Sequence, residues 1–161
     1  MAHKKSWREK LADDKGLPKV VKITGKMSQR LGTGTVVVPA PAEVDAAMKT
    51  IRRGKLTTID LIRNSLAKKH RASVACPMTT GIFAWIASHA ANESEEEGRK
   101  RITPYWRTLK KNGELNLKYP GGITNLKRRL AAEGHTIVQR GKRYFVQDYD
   151  KTAVAPKMDQ S

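Results

Sequence analysis

Four stretches of the chain place apolar residues at the spacing of a buried helix face. The first opens at Pro41 and repeats Val44, Ala47, Met48 and Ile51 before closing on Arg52, Arg53 and Gly54. Proline suits a first helical position because its missing N–H has no partner there, and Glu43 and Asp45 suit the positive end of the helix dipole. Thr58 is placed to cap a second helix, in which Ile59, Ile62 and Leu66 recur through about Lys69. A third starts at Cys76-Pro77 and runs through MTTGIFAWIASHAAN, with Ile82, Phe83, Ile86 and Ala90 as its expected buried face. The fourth follows Gly121-Gly122, carries Ile123, Leu126 and Leu130, and has Gly134 where a helix needs a left-handed exit.

The pattern changes period elsewhere. HTIVQRGKRYFVQDY alternates around Arg140-Gly141, which predicts a β-hairpin, and VVV at 36–38 predicts a short strand. Residues 1–40 are interrupted by Gly16, Pro18, Gly25, Gly32 and Gly34 and read as an extension; the Gly32-Thr33-Gly34 pair lacks the strand and third glycine of a phosphate loop. ESEEEG at 93–98 reads as a solvated acidic loop, Asn112-Gly113 as a turn, and residues 150–161 as a frayed tail. Helices two and three, joined by the short polar HRASVA, match a helix-turn-helix. The expectation is therefore a mainly α fold with a small C-terminal β-hairpin, a winged helix-turn-helix over residues 41–149.

Charge narrows the partner. The 161 residues hold 32 Lys and Arg against 15 Asp and Glu, a formal +17. Thirteen of those cations face only three acids within residues 99–149, and the excess also spans the earlier segments. A polyanion fits such a surface, because each neutralised phosphate releases counterions. No apolar run approaches the ~18 residues of a membrane span, and MAHKKSWREK has no apolar signal core, so a membrane is excluded as partner and the cytoplasm is the expected compartment, beside the nucleoid in a bacterial cell. A single cysteine, Cys76, rules out a disulfide framework and a multi-cysteine zinc site. His3 and His135 have no visible partner at metal-ligand spacing, and His89 reads as a satisfied structural histidine. Neither metal nor cofactor is expected.

One stretch stands apart. In a chain with 6% aromatics, ITPYWRTLKKNGELNLKYPGG sets Tyr105 and Trp106 side by side between Pro104 and Arg107. The frame of Pro104 and Arg107, Asn112-Gly113, Tyr119 with Gly121-Gly122, a basic helix from Leu126 to Leu130, and Glu133-Gly134 resembles the DNA-binding domain of O6-alkylguanine-DNA alkyltransferases, in particular the alkyltransferase-like proteins. GKLTTIDLI resembles the family's entry into its helix-turn-helix. The resemblance spans residues 43–149 and is most specific over 102–134. It implies binding to double-stranded DNA, alkylated duplexes included, as a monomer, with a repair protein as a further partner.

The departures bear on chemistry. The family's Pro-Cys-His-Arg, whose cysteine accepts the alkyl group, stands here as Pro104-Tyr105-Trp106-Arg107, and neither ring is a soft nucleophile. Ile59 occupies the place of the base-flipping tyrosine and Met78 that of the intercalating arginine. The resemblance implies a base pocket lined by Pro104, Tyr105, Trp106, Arg107 and Tyr119, with Tyr105 facing the cavity and Trp106 the more buried ring; packing of the wing is the alternative use of both rings. Met78, Thr79 and Thr80 are the expected groove-facing residues of the third helix. Lys127, Arg128, Arg129, Arg140, Lys142 and Arg143 are the expected phosphate contacts. The reading is a non-catalytic DNA-binding protein that senses alkylated bases. Two alternatives stay open: an active alkyltransferase using Cys76 at a helix N-terminus, and a winged-helix regulator or basic RNA-binding protein.

Overall fold

The computed structural model describes residues 4–158; His3 and the last three residues of the expected tail lie outside them. From the N-terminus come helix α1 (Trp7–Ala12), strand β1 (Lys19–Lys22), the short helix α2 (Met27–Leu31) and strand β2 (Thr35–Val38). Helix α3 (Pro41–Lys49), strand β3 (Thr57–Thr58), helix α4 (Ile59–Lys69), strand β4 (Val74–Ala75) and helix α5 (Pro77–Glu96) form the middle. Strand β5 (Thr108–Leu109), helix α6 (Gly122–Ala132) and strands β6 (Ile137–Arg140) and β7 (Arg143–Val146) complete it. Among the described residues no helix is long and apolar enough to cross a membrane.

The fold is mixed α/β rather than mainly α. Three small sheets run through it: β1 antiparallel to β2, with β2 parallel to β4; β3 parallel to β5; and β6 antiparallel to β7. The predicted helices α3, α4 and α6 and the terminal hairpin stand where their caps and periods place them. Thr58 accepts the backbone N–H of Leu61 at 3.1 Å, as a capping threonine should. The core gathers Val44 and Met48 of α3, Ile62 and Leu66 of α4, Phe83 and Ala87 of α5, and Leu126 and Leu130 of α6. Glu43 ties the start of α3 to the end of α4, receiving Lys69 Nζ at 2.7 Å and lying 2.6 Å from His70 Nε2.

Three expectations are corrected. The segment 4–40 is anchored to the domain at both ends, by α1 and by β2 with its buried Val36 and Val37: Ser6 and Glu9 form a reciprocal capping box on α1, and Trp7 stacks on His89 at 4.6 Å and meets Trp85 edge to face at 4.8 Å. The acidic run is helical through Glu96, not a loop, and three of its four carboxylates meet distant partners. Glu93 accepts the N–H groups of Trp7 and Arg8 at the head of α1 (3.1 and 2.9 Å), Glu95 meets Arg129, and Glu97 meets Arg8. The C-terminal segment is also packed. Leu56 donates to the Thr152 carbonyl (3.0 Å), Val154 donates back to Leu56 (2.7 Å), and Pro156 is buried.

The turn at Asn112-Gly113 shows why glycine stands there. Gly113 has φ +81°, and a Cβ would lie 2.5 Å from the Tyr149 ring. Gly113→Ala therefore combines left-handed backbone strain with overpacking, an expected loss of about 2–4 kcal/mol. Gly141, at φ +63° with open space around it, serves as the control. Gly141→Ala is expected to cost only the strain, about 1–2 kcal/mol. Equal midpoints for the two variants in urea denaturation would refute the close approach.

Candidate nucleic-acid interface

Pro104 leads into a single 3-10 turn, Tyr105–Arg107, that feeds β5. Tyr105 has 0% exposure and Trp106 9%. Their rings meet edge to face at 5.2 Å, and Tyr105 meets the buried Tyr119 in the same way at 6.0 Å. The Tyr105 hydroxyl accepts from the side-chain amide of Asn125 at 2.8 Å, and the same nitrogen donates to the Pro120 carbonyl at 2.9 Å. The expected open base pocket is thus corrected to a packed hub. Tyr105, not Trp106, is the more buried ring. A phenol fills far more volume than a thiol, and Asn125 satisfies its hydroxyl inside the fold. Burial raises the Tyr105 hydroxyl above its ordinary pKa despite the opposing pull of Arg129 and Asn125, and burial likewise raises Tyr119. Neither is an activated nucleophile.

Glu133, at the end of α6, holds the other side of the motif. Its carboxylate accepts Trp106 Nε1 (2.8 Å), Arg107 Nε (2.9 Å), Arg107 Nη2 (2.8 Å) and the Gly54 N–H (3.3 Å), while Arg107 Nη1 reaches the Ile51 carbonyl at 2.7 Å. Only 3% of the Glu133 side chain is exposed. Arg107 therefore serves this buried pair and does not line an open base pocket.

Helix α5 presents a different surface at its first two turns. Met78 is 63% and Ile82 46% exposed, so Ile82 leaves the buried face expected for it, while Phe83, Ile86 and Ala90 are buried. Thr80 is fully buried and donates its hydroxyl to the Cys76 carbonyl at 2.7 Å, which removes it from the groove-facing set. Thr79 is half-buried beside Cys76, Oγ1 to Sγ 3.1 Å. Cys76 sits at the N-cap of α5. Between these turns and the 116–118 loop lies an open groove of about 400 Å³, lined by Met78, Ile82, Trp85, Asn116 and Lys118 among others. His89 fixes that loop, its Nε2 lying 3.1 Å from the Lys118 carbonyl, so it is satisfied as the sequence suggested.

The predicted phosphate contacts divide into two groups. Lys127, Arg128, Arg140 and Lys142 are exposed. Arg128 also donates to Asn125 Oδ1 (2.8 Å), and Arg140 lies over Phe145 at 5.1 Å. Arg143 is exposed but paired with Glu114 at 2.7 Å. Arg129 is largely covered: it donates to Asn125 (3.0 Å) and Glu95 (2.5 Å) and lies 4.5 Å over Trp106. That guanidinium belongs to the aromatic hub. Sequence reasoning missed Asn125, Trp85, Asn116 and Lys118; only the spacing of Asn125 to Arg129, one helical turn, was available to signal the first.

Burial works to raise the Glu133 carboxyl, but Arg107, then Trp106 and the Gly54 N–H, outweigh it and hold the group below its ordinary value of 4.5. A depressed carboxyl contributes stability that is complete above its unfolded pKa and is lost as pH falls through its folded one. Glu133→Gln is expected to cost about 3 kcal/mol at neutral pH, where it leaves Arg107 without its anion. The gap between the two proteins should narrow as pH falls from about 5 to about 3. A gap that stays constant across that range in thermal melts would refute the role of the ionised carboxylate.

No family model matches the chain, and the search of curated proteins finds no match either. Among solved structures the chain is similar to S. pombe Atl1 in complex with damaged DNA containing O6-carboxymethylguanine, with a TM-score of 0.50 and 18% identity over 72% of this chain and 94% of that one. The chain has an alkyltransferase-like fold.

Proposed function

We propose that this protein binds double-stranded DNA and senses an alkylated base without transferring the alkyl group. The observation that carries the reading is the exposed head of α5, where Met78 and Ile82 project from a chain of net charge +17. Apolar side chains that face solvent beside exposed cations suit a partner that is anionic outside and aromatic within, and minor-groove proteins insert such side chains between base steps. The similarity to a protein crystallised on damaged DNA supports the same use of the scaffold. Helices α4 and α5 then serve as the helix-turn-helix, the β6–β7 hairpin with Arg140 and Lys142 as a basic wing, and Lys127 and Arg128 of α6 as further phosphate contacts.

The closed hub supports the non-catalytic half of the reading. At the motif where the resemblance implies an acceptor thiol, Tyr105 is sealed and hydrogen-bonded. An everted base instead lodges in the groove between α5 and the 116–118 loop, against Met78, Ile82 and Trp85, with Asn116 and Lys118 as polar partners. A repair protein then reads the assembled complex, the protein itself acting as a monomer.

Duplexes with and without one O6-alkylguanine test both halves. With about six phosphates contacted, the logarithm of affinity is expected to fall with the logarithm of salt at a slope near −5. The alkylated duplex should bind more tightly, and Met78→Ala should remove about 1 kcal/mol or more of that preference while leaving the undamaged duplex nearly unaffected. Intact mass should not change after incubation. A slope near zero or a preference for RNA would end the DNA reading, equal affinity for both duplexes would end lesion sensing, and a methyl group on Cys76 would make the protein a transferase.

A further inference from the structure

The N-terminal segment outside the resemblance builds a surface of its own. Between Asp14 and Glu43 the chain holds Lys15, Lys19, Lys22, Lys26 and Arg30 and not one acid. Strand β1 is the exposed edge of a three-stranded sheet, and all four of its side chains face solvent. The loop that returns to β2 contains α2 and displays Lys26 and Arg30, both exposed. Among the described residues none of Lys19, Lys22, Lys26 and Arg30 makes an ion pair, whereas most acids of the domain are committed to other partners.

Register fixes where this charge lies. Lys19 stands opposite Val38, and the Cys76 N–H bonds the neighbouring Val37 carbonyl, so Lys19, Val38 and the N-cap of α5 lie in one row across the sheet. Two strand spacings separate Lys19 from that cap, about 10 Å. At the other end Lys22 stands opposite Thr35, which accepts the Ser73 N–H. Strand β4 is itself part of the α4–α5 connection. The arm therefore widens the helix-turn-helix sideways and lines its rim with unpaired cations.

From this placement we infer that residues 15–34 form a second phosphate-binding arm, which grips the sugar-phosphate backbone of the same duplex beside the site entered by α5. The inference rests on the DNA-binding reading above. Lysines on an edge strand also discourage sheet-to-sheet association. That role, however, needs no charge at Lys26 or Arg30, which lie beyond the strand.

The test is the fourfold variant Lys19→Ala, Lys22→Ala, Lys26→Ala and Arg30→Ala, with a second variant in which the three lysines become arginine. All four side chains are exposed, so the melting temperature should be unchanged. The salt slope on an undamaged duplex should flatten by about 3 units in the alanine variant and recover in the arginine variant. The ratio of affinities for alkylated and plain duplexes should stay constant, since phosphate contacts carry no base information. An alanine variant that keeps the wild-type slope, whether it stays monodisperse or aggregates in light scattering, would overturn the arm while leaving DNA binding intact. A wild-type slope near zero would instead show that the underlying reading had failed.

Discussion

The four donors on one carboxylate at Glu133 hold the C-terminal half of this protein in place. An anion at the last turn of a helix sits against the negative end of the dipole and loses solvation as well. It persists here because Arg107, Trp106 and the Gly54 N–H converge on it from two other segments. Through Arg107 the same network reaches Ile51, just past α3. Remove the charge and three pieces of chain lose their common anchor: the turn after α3, the 3-10 turn at Tyr105–Arg107, and the end of α6.

That network changes what the Pro104–Arg107 motif is for. A buried tyrosine, a buried indole and a covering guanidinium from Arg129 make a rigid platform, with Asn125 matching the tyrosine hydroxyl to the turn that opens α6. The side chains that stay exposed lie outward from this platform and fall into two kinds. One is short-ranged and apolar, at Met78 and Ile82; the other is spread over exposed lysines and arginines. The first depends on shape and the second on charge, so salt should weaken the second far more than the first.

Local signals in the sequence were sufficient for α3, α4, the start of α5, α6 and the hairpin. Each carries its own cap, period or turn residue, and these act over a few positions. The acid run at 93–98 carries no such signal, because four clustered glutamates read as solvated until Arg8 and Arg129 are seen beside them. The sheet of β1, β2 and β4 was hidden for the same reason, since pairing Val36 with Val74 needs contact across nearly forty positions. At the site, the unusual aromatic pair was visible but its burial was not. Nothing near Tyr105 in sequence announces Asn125, and Glu133 was visible only as part of a recurring Glu-Gly. Thr80 and Arg129 illustrate one limit: a polar side chain on a helix is assigned to solvent by composition, yet both spend their donors within the fold.

Helix α5 runs unbroken for 20 residues, about 30 Å, with Met78 at one end and Glu93 and Glu95 near the other. It therefore has the geometry of a lever, with Met78 at one end and its carboxylate latches at the other. A tilt of about 5° around its midpoint displaces each end by about 1.3 Å over a ~15 Å arm. That movement is comparable to the margin between a good hydrogen bond and a broken one. A tilt of that size, imposed at Met78, would reach the carboxylate that holds the head of α1 and the one that holds Arg129 over the aromatic rings.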